Sequence, residues 1–120
     1  MTSGMKTVMY PVNDIAAAKK IYAQLLGVEP YMDEPYYVGF NVDGQDVGLD
    51  PHGERKGMTG PVGYWHVEDI EKSLQALLDA GATAGQPIRD VGGGKLIATV
   101  TDPDGNVVGL LQAPAGGWSA

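Results

Sequence analysis

Asp43-Gly-Gln-Asp-Val-Gly-Leu49 returns further along the chain as Asp104-Gly-Asn-Val-Val-Gly-Leu110, with Asp, Gly, Val, Gly and Leu matched position for position. Upstream, Tyr10-Pro-Val-Asn-Asp-Ile15 lines up in the same way with Trp65-His-Val-Glu-Asp-Ile70, aromatic with aromatic and Val-x-Asp-Ile with Val-x-Asp-Ile. Two such pairs in the same order point to a duplicated unit. Each copy is about one supersecondary motif long, too short to bury a core alone, so the copies are expected to fold as modules of one domain. The second copy is the longer, and Asp90-Val-Gly-Gly-Gly-Lys95 is where its extra residues fit.

Each copy reads as strand, helix, three strands. Residues 6–12 carry the β-favouring Thr7, Val8, Tyr10 and Val12 and run into Asn13-Asp14, short acceptor side chains suited to a helix N-cap. Ile15, Ala18, Tyr22, Leu25 and Leu26 then recur at helical spacing, with Gly27 as the left-handed stop. In the second copy the strand is 63–67 and the cap region Glu68-Asp69. Ile70, Ser73, Leu74, Leu77 and Leu78 form the buried stripe, and Gly81 ends the helix. The remaining strands are predicted at 29–32, 36–42 and 45–50, then at 83–88, 95–101 and 106–112. Asp-Gly in each copy supplies a hairpin turn with glycine at positive φ. The expected organisation is a single domain over 1–120, with modules 6–53 and 61–112 and a flexible tail over 113–120.

Composition narrows the functional classes. A chain of 120 residues and 12.6 kDa with 43% apolar residues can bury one core. A formal charge of -7, with eight Lys and Arg scattered along the chain, offers no cationic stripe, so neither nucleic acid nor an anionic membrane is expected as a partner. The absence of cysteine rules out disulfides and thiolate chemistry. Met1-Thr-Ser-Gly-Met-Lys6 has no apolar signal core, and no apolar run approaches membrane-spanning length; a cytoplasmic protein is expected.

Val12-x-Asp14-Ile15, Tyr22-Ala-Gln-Leu-Leu-Gly27, Val67-x-Asp69-Ile70, Gly81 and above all Asp102-Pro-Asp-Gly-Asn-x-x-Gly-Leu110 resemble the vicinal oxygen chelate superfamily, the group of glyoxalase I, bleomycin-resistance proteins and extradiol dioxygenases. The likeness runs from about residue 6 to 112. It implies an α+β fold in which two βαβββ modules form an open, curled mixed β-sheet barrel, helices outside, around a ligand-sized cavity. It also implies a homodimer. Enzymes of the group hold a metal with one side chain from the first and one from the last strand of each module. Those positions correspond here to Thr7 and Gly48, then Val62 and Gly109, and none is an imidazole or a carboxylate. One hydroxyl and three non-ligands cannot desolvate a divalent ion, so neither metal nor other cofactor is expected.

Loss of two side chains to glycine leaves room for a ligand to approach the strand backbone, or else marks local bending or drift. Strand alternation puts Thr7, Met9, Tyr36, Val38, Phe40, Gly48 and Asp50 on the cavity wall from the first module. From the second it puts there Val62, Tyr64, Ile97, Thr99, Gly109 and Leu111. Asp46 and Val107 share that parity, while Val8, Tyr10, Trp65 and Val67 are expected beneath the helices. The wall is mostly apolar and aromatic with a few hydroxyls, the composition of a small-molecule site. Asp50 with His52, and His66 near its strand end, are weaker candidates for a displaced metal or acid-base site. No Ser stands in a nucleophile elbow, and Gly92-Gly-Gly94 lacks the Lys-Ser/Thr of a phosphate loop. Trp118 in the tail is a candidate to cap the cavity or dock on a second subunit.

The expected function is metal-independent binding of an apolar or aromatic small molecule, of the bleomycin-resistance type, with resistance to a natural product as one use. Catalytic residues are not identified. The rival is a lyase, isomerase or dioxygenase of the same superfamily; a third reading is a structural or regulatory subunit whose cavity is filled by its own side chains.

Overall fold

The structure, a computed structural model, describes residues 2–53, 55 and 58–115. The chain divides into two compact units, Lys6–Val62 and a second made of Met1–Met5 with Gly63–Ala120. Trp118 lies outside the described residues.

The first unit is built from the part of β1 (Thr2–Pro11) that begins at Lys6, α1 (Ile15–Leu26), β2 (Met32–Glu34), β3 (Tyr37–Val42) and β4 (Gln45–Asp50). Its sheet runs in the order β2-β3-β4-β1, with β1 parallel to β4 and the other pairs antiparallel. Asp14 caps α1, its carboxylate accepting from the Ala17 amide at 3.0 Å, and Gly27 at φ 71° ends it by donating to the Ala23 carbonyl. Such a cap is worth about 1 kcal/mol. The core lies between α1 and the sheet. Val38, Phe40, Val47 and Leu49 are buried there beneath Ile15, Ala18, Tyr22 and Leu26, and the Tyr10 and Tyr22 rings meet at 5.1 Å. Full burial of each large side chain contributes about 1.5–3 kcal/mol. Of the two leucines that share the helical spacing, Leu26 packs on the core and Leu25 is 73% exposed beside Ile21.

Asp43 and Gly44 both have positive φ, 49° and 86°, the signature of a two-residue type I′ hairpin. That turn pairs Val42 with Gln45 and, counting back along both strands, Gly39 with Gly48.

The second unit repeats the plan with β5 (Val62–Val67), α2 (Ile70–Asp79), β6 (Thr83–Ala84), β7 (Arg89–Asp90), β8 (Leu96–Thr101) and β9 (Val107–Gln112). Its sheet order is β5-β9-β8-β6, with β7 also on β8 and β5 parallel to β9. Asp69 caps α2 through the Lys72 amide, and the Gln112 side chain accepts from the Ile70 amide at 2.8 Å, tying the end of β9 to the helix start. Gly81 (φ 110°) donates to the Leu78 carbonyl and Ala82 to that of Leu77, the paired bonds of a Schellman stop. Val67, Ile70, Ala98 and Leu110 form the core under α2 with Leu74, Leu77, Ile88 and Leu96. In neither unit does the sheet close on itself.

The strand expected over 83–88 is instead two short pieces on β8. Gly85 passes so close to Thr99 that a Cβ there would stand 2.5 Å from its hydroxyl, and the Gln86 amide donates to that hydroxyl at 2.8 Å. Pro87 then has no N–H to continue a ladder. The glycine-rich insertion is a turn, with the Asp90 carboxylate accepting from the Gly92 and Gly94 amides. Asp102 organises the second hairpin by accepting from Asp104 and Asn106 amides and from the Asn106 side chain. Those bonds, the Asn106 side chain first, hold its carboxyl below the usual range.

Candidate functional site

Strand parity decides which side chains stand on the helix-free faces, and register with Gly48 and Gly109 fixes the parity. Thr7, Met9, Asp46 and Gly48 share one face of the first unit, since Met9 pairs with Gly48 and Thr7 with Asp46. Gly39 pairs with Gly48, so Tyr37 and Gly39 belong to this face too. Val38 and Phe40 do not. They were expected on the cavity wall, but they are 1% and 0% exposed in the core beneath α1. Side chains alternate with period two, so an error of one residue in β3 swaps its faces. Tyr36, also expected there, precedes β3 and is exposed. Asp50 is buried; its carboxylate accepts from the His52 amide at 2.8 Å, closing a local turn.

In the second unit Tyr64 pairs with Gly109 and Gly109 with Thr99, while His66 and Ile97 both pair with Leu111. These residues stand on the face away from the Val67, Ala98 and Leu110 core, and Val62 shares their parity. Trp65 pairs with Leu110 on the helix side but remains 37% exposed. The His66 carbonyl accepts the Thr2 hydroxyl at 2.7 Å.

The room expected over the two glycines is already taken. A Cβ on Gly48 would fall on the Met9 sulfur and the Tyr37 hydroxyl; one on Gly109 would stand 2.5–2.8 Å from the Tyr64 ring. The donor set also fails the chemistry of the superfamily's metal. Thr7 and Val62 are buried, Gly48 and Gly109 carry no donor, and among the described residues no three His, Cys, Asp or Glu side chains converge as a metal cluster would require.

The polar feature that sequence reading missed is a cluster on the helix-free face of the first unit. The end of the Tyr31 ring lies over Gly39, where a Cβ would be 2.7 Å from its Cζ, with Tyr37 alongside. The Tyr31 hydroxyl hydrogen-bonds with Asp46 and Tyr37, and the Tyr37 hydroxyl donates to the Met9 sulfur at 3.7 Å. Burial of its hydroxyl end, then the neighbouring Tyr37 and Asp46, push the Tyr31 phenol far above its ordinary 10. The cluster therefore offers the Tyr31 and Tyr37 hydroxyls and the Asp46 carboxylate for orienting a ligand. Tyr31 is not a phenolate base.

The proton is retained in the fold while the unfolded chain gives it up near pH 10, so this stabilisation is full below pH 10 and declines as pH rises beyond it. Alkaline absorbance titration is expected to find Tyr31 ionising above the ordinary tyrosine range, and Tyr31→Phe is expected to remove that late step.

An open cleft of about 610 Å³ lies in the first unit between Tyr10, Pro11 and Asn13 on one side and residues 58–61 on the other. None of the expected wall residues lines it.

The model of the Glyoxalase/Bleomycin resistance protein/Dioxygenase superfamily matches residues 4–110, and the chain belongs to that superfamily. Similar solved structures include the NAD-dependent benzaldehyde dehydrogenase from Legionella pneumophila (19% identity, TM-score 0.72, covering 88% of this chain and 96% of that one). A superfamily member from Vibrio splendidus 12B01 has 22% identity and TM-score 0.68 over the same shares of the two chains. The methylmalonyl-CoA epimerase from Mycobacterium tuberculosis has 18% identity and TM-score 0.68, covering 95% and 91%. At these identities the likeness establishes the fold alone. No curated protein matches the chain.

Proposed function

We propose that this chain is a small-molecule binding protein that works without a metal ion, holding an apolar or aromatic ligand against the helix-free face of its first module. One observation carries the reading. At the two firmly aligned positions where the superfamily's enzymes present a ligating side chain, this chain has glycine, which offers a metal ion no donor. Apolar burial against Met9 and the tyrosine rings would drive affinity, while Tyr31, Tyr37 and Asp46 orient the ligand. A dimeric state, a cytoplasmic setting and a use in resistance to a natural product belong to the same reading. No described helix is long and apolar enough to cross a membrane.

Native mass spectrometry and elemental analysis of protein purified without chelator test it together. The expected result is a retained organic mass with metal far below one equivalent. Stoichiometric Ni, Zn, Fe or Mn would overturn the reading in favour of a metal-dependent lyase, isomerase or dioxygenase.

A further inference from the structure

The cleft beside Tyr10 lies where β1 ends and the chain turns toward α1, and none of Tyr31, Tyr37 and Asp46 lines it. The fold fixes both of its walls. On one side Tyr10 packs on the core of Val38, Phe40, Val47 and Leu49 and rests its ring on Tyr22, while the Val12 amide donates to the Asp50 carbonyl at 3.0 Å and carries the β1–β4 ladder past Pro11. The other side is drawn in by Gly53. That residue is buried so close to Pro11 that a Cβ on it would stand 2.6 Å from the proline Cβ, and its carbonyl accepts the Met58 amide at 3.0 Å.

We propose that this cleft is a separate small-molecule site, one that receives an uncharged flat heterocycle carrying a hydrogen-bond donor beside an acceptor on one edge, as cyclic amides and nucleobases do. The assignment does not depend on the binding role of the helix-free face. At about 610 Å³ the space falls within the range of about 300–1,000 Å³ that ligand pockets occupy. No Lys, Arg, His, Asp or Glu lines it, so an ion entering there would lose water without gaining an opposite charge. The Tyr10 ring and the rings of Pro11 and Pro61 present flat apolar surface, and the Met58 thioether packs well on aromatic faces. Asn13, at an exposed position, supplies the polar edge. Its carboxamide holds donors beside an acceptor and bonds best to an edge with the complementary pair.

Titration of the full chain with adenine, followed by ligand-observed NMR, tests this. Saturable binding is expected, and benzoate, flat but anionic, should not displace the base. Gly60 lines the cleft, and a Cβ on it would meet no atom within 4 Å, so Gly60→Leu adds bulk there without a clash and should abolish binding. Asn13→Ala should weaken it by about three- to tenfold, the loss of one neutral hydrogen bond. Urea melts of each variant separate folding from affinity. Failure of adenine to bind, displacement by an equal concentration of benzoate, or binding that survives Gly60→Leu in a folded protein would overturn the assignment. A retained organic mass in native mass spectrometry would leave the role of the helix-free face standing in each of those cases.

Discussion

Gly109→Glu, which places a carboxylate in the middle of β9, is expected to destabilise the second unit by about 3–5 kcal/mol and to gain no metal. The first methylene alone would stand 2.5 Å from Tyr64 Cδ1 and 2.8 Å from Cγ and Cε1, and the ring it meets is almost wholly buried. A charge placed there would be desolvated against that buried ring. Urea denaturation gives the loss of stability, and equilibrium dialysis against Zn or Ni gives the metal. The double variant Tyr64→Ala/Gly109→Glu separates crowding from charge: if crowding dominates, removing the ring restores part of the loss. A folded Gly109→Glu protein holding one equivalent of metal would show that the site had only been emptied, not rebuilt.

Phe40→Ala is expected to cost about 3–5 kcal/mol, a large fraction of the 5–15 kcal/mol that holds a domain of this size together. Phe40 is the largest of the fully buried side chains, packed with Val38, Val47 and Leu49 under α1. Tyr36→Ala, four residues earlier at an exposed position, should stay within about 0.5 kcal/mol of wild type. Thermal or urea melts of the two variants check the facing of β3 directly. Had Phe40 lined a ligand cavity instead, its removal would weaken binding and cost much less stability.

The facing of β3 also marks where sequence reading succeeded and where it slipped. The duplicated Asp-Gly turns, the two aspartate caps and the stop glycines are local signals, and each sits in the structure where its chemistry requires. Facing in the second unit was legible for the same reason, because Gly109 anchored its alternation. In the first unit β3 was read one residue out of phase. The cure was in the sequence: a two-residue turn at Asp43-Gly44 forces Gly39 opposite Gly48, which puts Tyr37, not Tyr36, on the shared face. Tyr31 had no such signal. It lies outside any strand, and only the bare Cα of Gly39 brings its hydroxyl to Asp46. The room over Gly48 and Gly109 was equally hidden, since a missing side chain does not say what moves into its place.

The outermost strands, β2 with three residues and β6 and β7 with two each, are too brief to template growth by another chain. Asp33, Glu34 and Pro35 close one margin, and Pro87, Arg89 and Asp90 interrupt the other, so an incoming strand would meet charge or a missing N–H within a residue or two. Concentrated solutions should therefore resist fibril formation, the assembly that starts from a continuous exposed ribbon.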